Sequence, residues 1–156
     1  MDMVNLLRDH GIAPTLQRLE IASALFSDKR HVTAEQLLEE INLGSNPVSR
    51  ATLYNTLRLM SAKGLVRELI VDPARVVYEP RTTDHHHIYD VTTGELMDFD
   101  AESQWMTEAL RLPSEFELIG IDVIVRVRGA RGRRLNTLTA RSDIGHNAFQ
   151  LSAPES

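Results

Sequence analysis

Over the first 80 residues, apolar positions recur every three or four residues, and each run is bounded by a residue that starts or stops a helix. Val4, Leu6 and Leu7 mark a short helix over 2–10, which Gly11 stops. Pro14 falls in the first turn of the next helix, where a proline is tolerated. Leu16, Leu19, Ile21, Ala22, Ala24, Leu25 and Phe26 give that helix its apolar face. Thr33 to Gln36 reads as a capping box: the Thr33 hydroxyl accepts from the Gln36 backbone N–H, and the Gln36 side chain reaches back. The helix that follows is expected to bury Leu37, Leu38 and Ile41 and to end at Gly44. Ser49 suits the N-cap of a helix over 50–63, with Gly64 just past its end. Leu53, Leu57, Met60 and Leu65 form its inward stripe, while Arg50, Thr52, Asn55, Thr56 and Arg58 point elsewhere.

The period then falls to two. Strands are predicted over 65–71 and 76–79, joined by Asp72-Pro73-Ala74-Arg75, a turn in which proline pre-sets φ. Three helices and a hairpin in that order spell a winged helix, whose third helix suits a major groove. Beyond Pro80 come a loose alternation over 85–91, a turn at Thr92-Thr93-Gly94 and a second strand over 95–99. A short helix over 101–110 and a long strand over 116–127 complete the pattern, with Ile119, Ile121, Val123, Val125 and Val127 on one face. The expected fold class is α+β, an N-terminal winged helix-turn-helix followed by a small α/β dimerisation domain. Its parts are a DNA-binding domain over 1–80, a hinge over 81–84, a dimerisation and metal-sensing domain over 85–128 and a mobile basic tail over 129–156. So few residues make a small core, and the long strand suggests that two copies pair by their sheets.

Charge changes the picture, because the net −5 hides a pattern. Residues 1–80 carry nine basic and ten acidic side chains, 81–125 two and ten, and 126–156 six and two. Between Asn46 and Arg67 there are four cations and no acid. Phosphate attraction follows local charge, so this segment can face DNA within an acidic protein. No apolar run approaches the length of a membrane span, which gives a cytoplasmic expectation. Cysteine is absent, so any metal must be held by nitrogen and oxygen.

Half of the six histidines stand side by side at His85-His86-His87. On a strand, His85 and His87 share one face and His86 and Asp84 the other. Asp98, on the neighbouring strand, can come alongside the first pair. Glu79 closes the wing a few residues earlier, and His31 stands before the capping box at a distance the sequence does not give. Two imidazoles with carboxylates suit Fe²⁺ or Mn²⁺ in five- or six-fold coordination; Zn²⁺ can enter such a set in vitro.

Several stretches resemble the ferric uptake regulator superfamily of bacterial transcription factors. They are Pro14-Thr15-Leu16-Gln17-Arg18, His31-Val32-Thr33-Ala34-Glu35, Ser49 through Leu57, Gly64-Leu65-Val66, Tyr78-Glu79, the histidine run and Gly94 through Phe99. In order and spacing they cover roughly residues 4–128. The resemblance implies a homodimer that binds a double-stranded DNA operator. It places the regulatory metal ligands on His31, Glu79, His85, His87 and Asp98, and the base-touching tyrosine on Tyr54. Arg18, Arg50, Thr52, Tyr54, Asn55 and Arg58 are then the DNA-facing set, with Asn55 where many members have arginine. The paired Cys-X-X-Cys motifs of the family's structural zinc site are missing, with Asp90 and Thr93 in the first pair's place, so no such zinc is expected. Of the family's other metal site only Asp84 and His86 fit.

Two branches compete. Aspartate at Asp98 is the carboxylate of the peroxide-sensing branch, in which bound Fe²⁺ reacts with peroxide and a ligand histidine is oxidised. The histidine triplet and the ending Ile121 to Arg128 resemble the iron response regulator branch, whose members respond to haem, and that branch is the leading reading. A different class, a non-haem iron enzyme with a two-histidine, one-carboxylate triad, would need open coordination positions and a substrate pocket. A metal-free winged helix that only dimerises is a further alternative. The expectation is a regulator, not an enzyme.

Overall fold

The computed structural model describes residues 2–27, 31–80, 82–83, 85–99 and 112–128. The predicted helix over 101–110, the tail over 129–156, Asp84 and Arg81 lie outside them. The chain divides into two compact units, Met1–Asp84 with Ile119–Ile121, and His85–Leu118 with Asp122–Ser156. Among the described residues no helix is long and apolar enough to cross a membrane.

Among the described residues the first unit holds four helices and a hairpin: α1 Met3–Asp9, α2 Leu16–Ser27, α3 Ala34–Asn42, α4 Arg50–Ala62, β1 Arg67–Asp72 and β2 Arg75–Glu79. Its helices start where side chains can take up orphan backbone N–H groups. Asp2 caps α1, Thr33 and Gln36 form the predicted capping box on α3, and Ser49 caps α4. Helix α2 begins at Leu16, about two residues later than predicted. Pro14 lies outside it, and Thr15 serves its first turn by accepting from Leu19 N–H through its carbonyl and from Arg18 N–H through its hydroxyl. Leu16, placed on the apolar face by the sequence pattern, is consequently 62% exposed.

Helix α4 ends as its glycine requires. Gly64 adopts φ +68°, Leu65 N–H donates to Met60 carbonyl at 2.9 Å and Gly64 N–H to Ser61 carbonyl at 3.0 Å. This left-handed turn satisfies two carbonyls that a straight end would leave open. The core gathers Leu7, Ile21, Leu25, Leu37, Leu53, Leu57 and Met60, all fully buried. Thr56 joins the buried face of α4 rather than pointing outward, being 4% exposed.

Removing the α3 cap tests how firmly this unit is built. Thr33→Ala leaves the Gln36 N–H without its side-chain acceptor and should cost about 1 kcal/mol, read as a lower urea midpoint at unchanged slope. An unchanged midpoint would mean that the cap is replaced by water without loss.

In the second unit β3 His86–Asp90, β4 Leu96–Phe99 and β5 Ile124–Val127 form a sheet in the order β4-β3-β5. β3 pairs antiparallel with β4 and parallel with β5. The long strand expected over 116–127 is therefore much shorter. β3 is five residues long, and its parallel register runs only from His87↔Ile124 to Asp90↔Val127, with the His87 N–H also donating to the Val123 carbonyl just upstream of β5. Ile119, predicted to share the buried face, is 96% exposed.

Candidate metal centre

The predicted ligands fall into two groups, His31 and Glu79 in the first unit and His85, His87 and Asp98 in the second. In the first, His31 and Glu79 meet through a backbone bridge. Val32 and Tyr78 exchange hydrogen bonds of 3.1 and 2.8 Å, tying the segment before α3 to the end of β2. His31 precedes one bridge partner and Glu79 follows the other, which brings His31 Nε2 to 2.9 Å from Glu79 Oε2. Glu79 is 2% exposed. A carboxylate so deeply buried needs compensating charge, and a guanidinium stands near it: Arg67, its register partner in the hairpin, has Nε 3.6 Å from Glu79 Oε1. Arg67 also donates to the Thr83 carbonyl at 3.3 Å. It was not among the candidates drawn from the sequence.

In the second unit the predicted alternation holds. His87 lies opposite Asp98 in the β3–β4 register, and His86 opposite Phe99. His85 Nε2 and His87 Nε2 each stand 3.7 Å from Asp98 Oδ1, and their rings lie edge to face at 4.6 Å. Both histidines are buried. A contact of 3.7 Å is too long for a hydrogen bond. It is close to the separation of two ligands on one ion, since bonds of roughly 2.1 Å meeting at about 110° put their donor atoms about 3.4 Å apart. Two imidazole nitrogens and a carboxylate oxygen are borderline-to-hard donors, which fits Mn²⁺, Fe²⁺ or Zn²⁺.

His86, on the other face of β3, packs its ring 5.5 Å from Phe99 and is 1% exposed. Its predicted companion Asp84 is outside the described residues. Asp90, which stands where the first cysteine pair of a structural zinc site would begin, is buried instead as a turn former. Its carboxylate accepts from Thr92 N–H at 2.8 Å, and its carbonyl accepts from Gly94 N–H at 2.8 Å.

Five of the six predicted DNA-facing residues sit on α4 and the sixth, Arg18, on α2, all within the first unit. Arg50, Tyr54, Asn55 and Arg58 are exposed. Thr52 is half-buried and bonded to the Ser49 cap, 2.9 Å between hydroxyls. Arg18, on α2, turns back to donate to the Ala13 carbonyl at 3.1 Å. Tyr54 donates its hydroxyl to Glu35 of α3 at 2.6 Å, a partner the sequence reading did not single out.

A winged helix followed by a small unit that presents histidines and a carboxylate on one sheet face is the build of a metal-responsive transcriptional regulator. The chain belongs to the ferric uptake regulator family, whose model matches residues 9–125. It is 33% identical over 125 residues to the ferric uptake regulation protein of Pseudomonas aeruginosa, covering 78% of this chain and 93% of that one. It is also 33% identical over 93 residues to the peroxide-responsive repressor PerR of Staphylococcus aureus, spanning 60% of this chain and 63% of the repressor. Among solved structures, the P. aeruginosa ferric uptake regulator with manganese superposes with a TM-score of 0.69 at 30% identity, over 83% of this chain and 98% of that one.

Proposed function

We propose that the chain is a dimeric regulator of iron or haem homeostasis that binds operator DNA through α4 and is switched by a divalent cation. Its ligands are His31, Glu79, His85, His87 and Asp98. The observation that carries this reading is the donor set of the second unit, two buried imidazole nitrogens each 3.7 Å from one carboxylate oxygen. The 2.9 Å His31–Glu79 pair supports the rest of the set. With neutral imidazoles, Glu79 and Asp98 contribute two negative charges, which a bound dication would balance. The chain's own contribution is positional. The Val32–Tyr78 bridge and the Arg67 pair hold Glu79 in place, and the β3–β4 register sets His87 against Asp98.

Operator binding then follows as a population shift. DNA-competent and incompetent arrangements differ in free energy, and metal favours one of them by its differential affinity. A few kcal/mol suffices for most of a switch. Fe²⁺ or Mn²⁺ is the proposed resident ion. The iron response regulator branch is the favoured assignment, on the His85-His86-His87 run and the Ile121 to Arg128 ending. The peroxide-sensing branch is the alternative, on Asp98 and the likeness to PerR.

The test is an operator-shift titration with a duplex that the chain enriches from a randomised pool. Binding should require Mn²⁺ and be lost in chelator. Haem that abolishes it would support the iron response assignment. Indifference to haem, with binding lost when the Fe²⁺ form meets peroxide and oxygen mass added at His31 or His85, would favour the peroxide sensor. Full binding in chelator, with no metal retained on dialysis, would overturn the metal-responsive reading.

A further inference from the structure

Helix α4 carries an exposed tyrosine whose hydroxyl is already engaged. Tyr54 is 38% exposed, and its hydroxyl donates to Glu35 Oε1 at 2.6 Å. The same carboxylate oxygen lies 3.7 Å from Arg50 Nη1, one turn before Tyr54 on the same face. Proton and charge are arranged consistently. The Tyr54 bond is the first cause holding the Glu35 carboxyl below the usual carboxylate range, and Glu35 in turn pushes the Tyr54 hydroxyl up. Glu35 is itself fixed from behind, because it occupies the first turn of α3, which the Thr33–Gln36 capping box and the Val32–Tyr78 bridge hold in place.

Tyr54 also borders open space. A cleft of about 380 Å³ between α3, α4 and the wing is lined by Glu35, Tyr54, Arg58, Glu68 and Tyr78 among others. A helical backbone leaves an exposed aromatic ring two favourable χ1 wells rather than one, and the 2.6 Å bond to Glu35 holds the ring in a single position.

We propose that Glu35 is a specificity-determining positioning residue, which orients the Tyr54 ring for base contact and sets Arg50 beside it. The proposal rests on the reading of α4 as the DNA-contacting helix. Two consequences separate this role from a general structural one. Glu35 places a negative charge at a surface that meets phosphates, so its removal should leave sequence-independent affinity unchanged or raised. The selective loss should fall on discrimination between sequences.

The experiment uses the full chain with Mn²⁺ at fixed salt, the duplex enriched from a randomised pool and a scrambled duplex of equal length. Glu35→Ala should lower the preference for the enriched duplex by roughly tenfold, the lower part of what one good base contact contributes. Affinity for the scrambled duplex should not fall. Glu35→Gln keeps an acceptor for the Tyr54 hydroxyl and should recover most of the preference. Tyr54→Phe should lose as much as Glu35→Ala, and the double variant no more than either, since both remove one interaction. Full preference in Glu35→Ala, or losses that add in the double variant, would overturn the proposal while leaving α4 as the DNA-contacting helix. A wild-type chain that enriches no duplex would overturn that helix assignment, and this role with it.

Discussion

His87→Ala is expected to weaken Mn²⁺ binding by at least about 100-fold and to abolish metal-dependent operator binding. Loss of a group that only supports a metal ligand already costs 10–100-fold, and His87 is proposed as a ligand. It occupies the middle strand of its sheet, opposite Asp98 on one side and Ile124 on the other, with its backbone N–H donating to Val123 carbonyl at 2.9 Å. The backbone therefore stays pinned when the ring is removed. Linkage gives a second readout. At a free metal concentration about 100 times the wild-type Kd, bound metal adds about 2.7 kcal/mol to stability; after a 100-fold loss of affinity the same concentration adds about 0.4 kcal/mol. The metal-induced rise in melting temperature should largely vanish. Because His87 is fully buried, its truncation also leaves a hole. Asp98→Asn is the companion variant, keeping shape while removing the carboxylate charge. A metal-induced shift of wild-type size in both variants would end the assignment of this sheet face as a metal centre.

Much of this arrangement was legible because it depends on short-range rules. The caps at Thr33 and Ser49, the glycine at Gly64 and the inward stripe of α4 are local chemistry, and all four stand as the residues dictate. The facing of His87 and Asp98 follows from period two and a tight turn. What failed needed knowledge of partners. The alternation over 116–127 describes a chain able to be a strand, but pairing stops where β3 stops. Thr56 was set outward on polarity, although it lies three residues after Leu53 and four before Met60, which puts it on their face. Arg67 is the subtler case. Counting back from the turn at Pro73 and Ala74 would set it opposite Pro80. A register shift between Ile70 and Asp72 sets it opposite Glu79 instead, and bulges are not written in the pattern of apolar residues. Likewise, the approach of His31 to Glu79 depends on a bridge between segments more than forty residues apart, which no spacing rule supplies.

Leu57→Ala is the substitution expected to cost the first unit most. Leu57 is fully buried at the centre of α4, with Leu53, Thr56 and Met60 on the same face. Truncating a buried leucine removes its transfer free energy and leaves a cavity, together about 3 kcal/mol where neighbours cannot close in. Helices α2 and α3 both pack on this core through Ile21, Leu25 and Leu37, so collapse around the gap is restricted. Against the roughly 5–15 kcal/mol that holds a domain folded, this is a large share. In urea the midpoint should fall by about 2 M for a slope near 1.5 kcal/mol/M. The functional consequence follows from the helix itself. Arg50, Tyr54 and Arg58 are spaced at four residues along the outer face of the helix that Leu53, Leu57 and Met60 anchor. Any rotation or fraying of α4 moves all three together, so affinity for the enriched duplex should fall with stability. Leu43→Ala is the control, because Leu43 is 90% exposed and its loss should stay within about 0.5 kcal/mol. Equal midpoints for the two variants would mean that the α4 stripe is not the keystone of the first unit, and that Arg50, Tyr54 and Arg58 are held by contacts elsewhere.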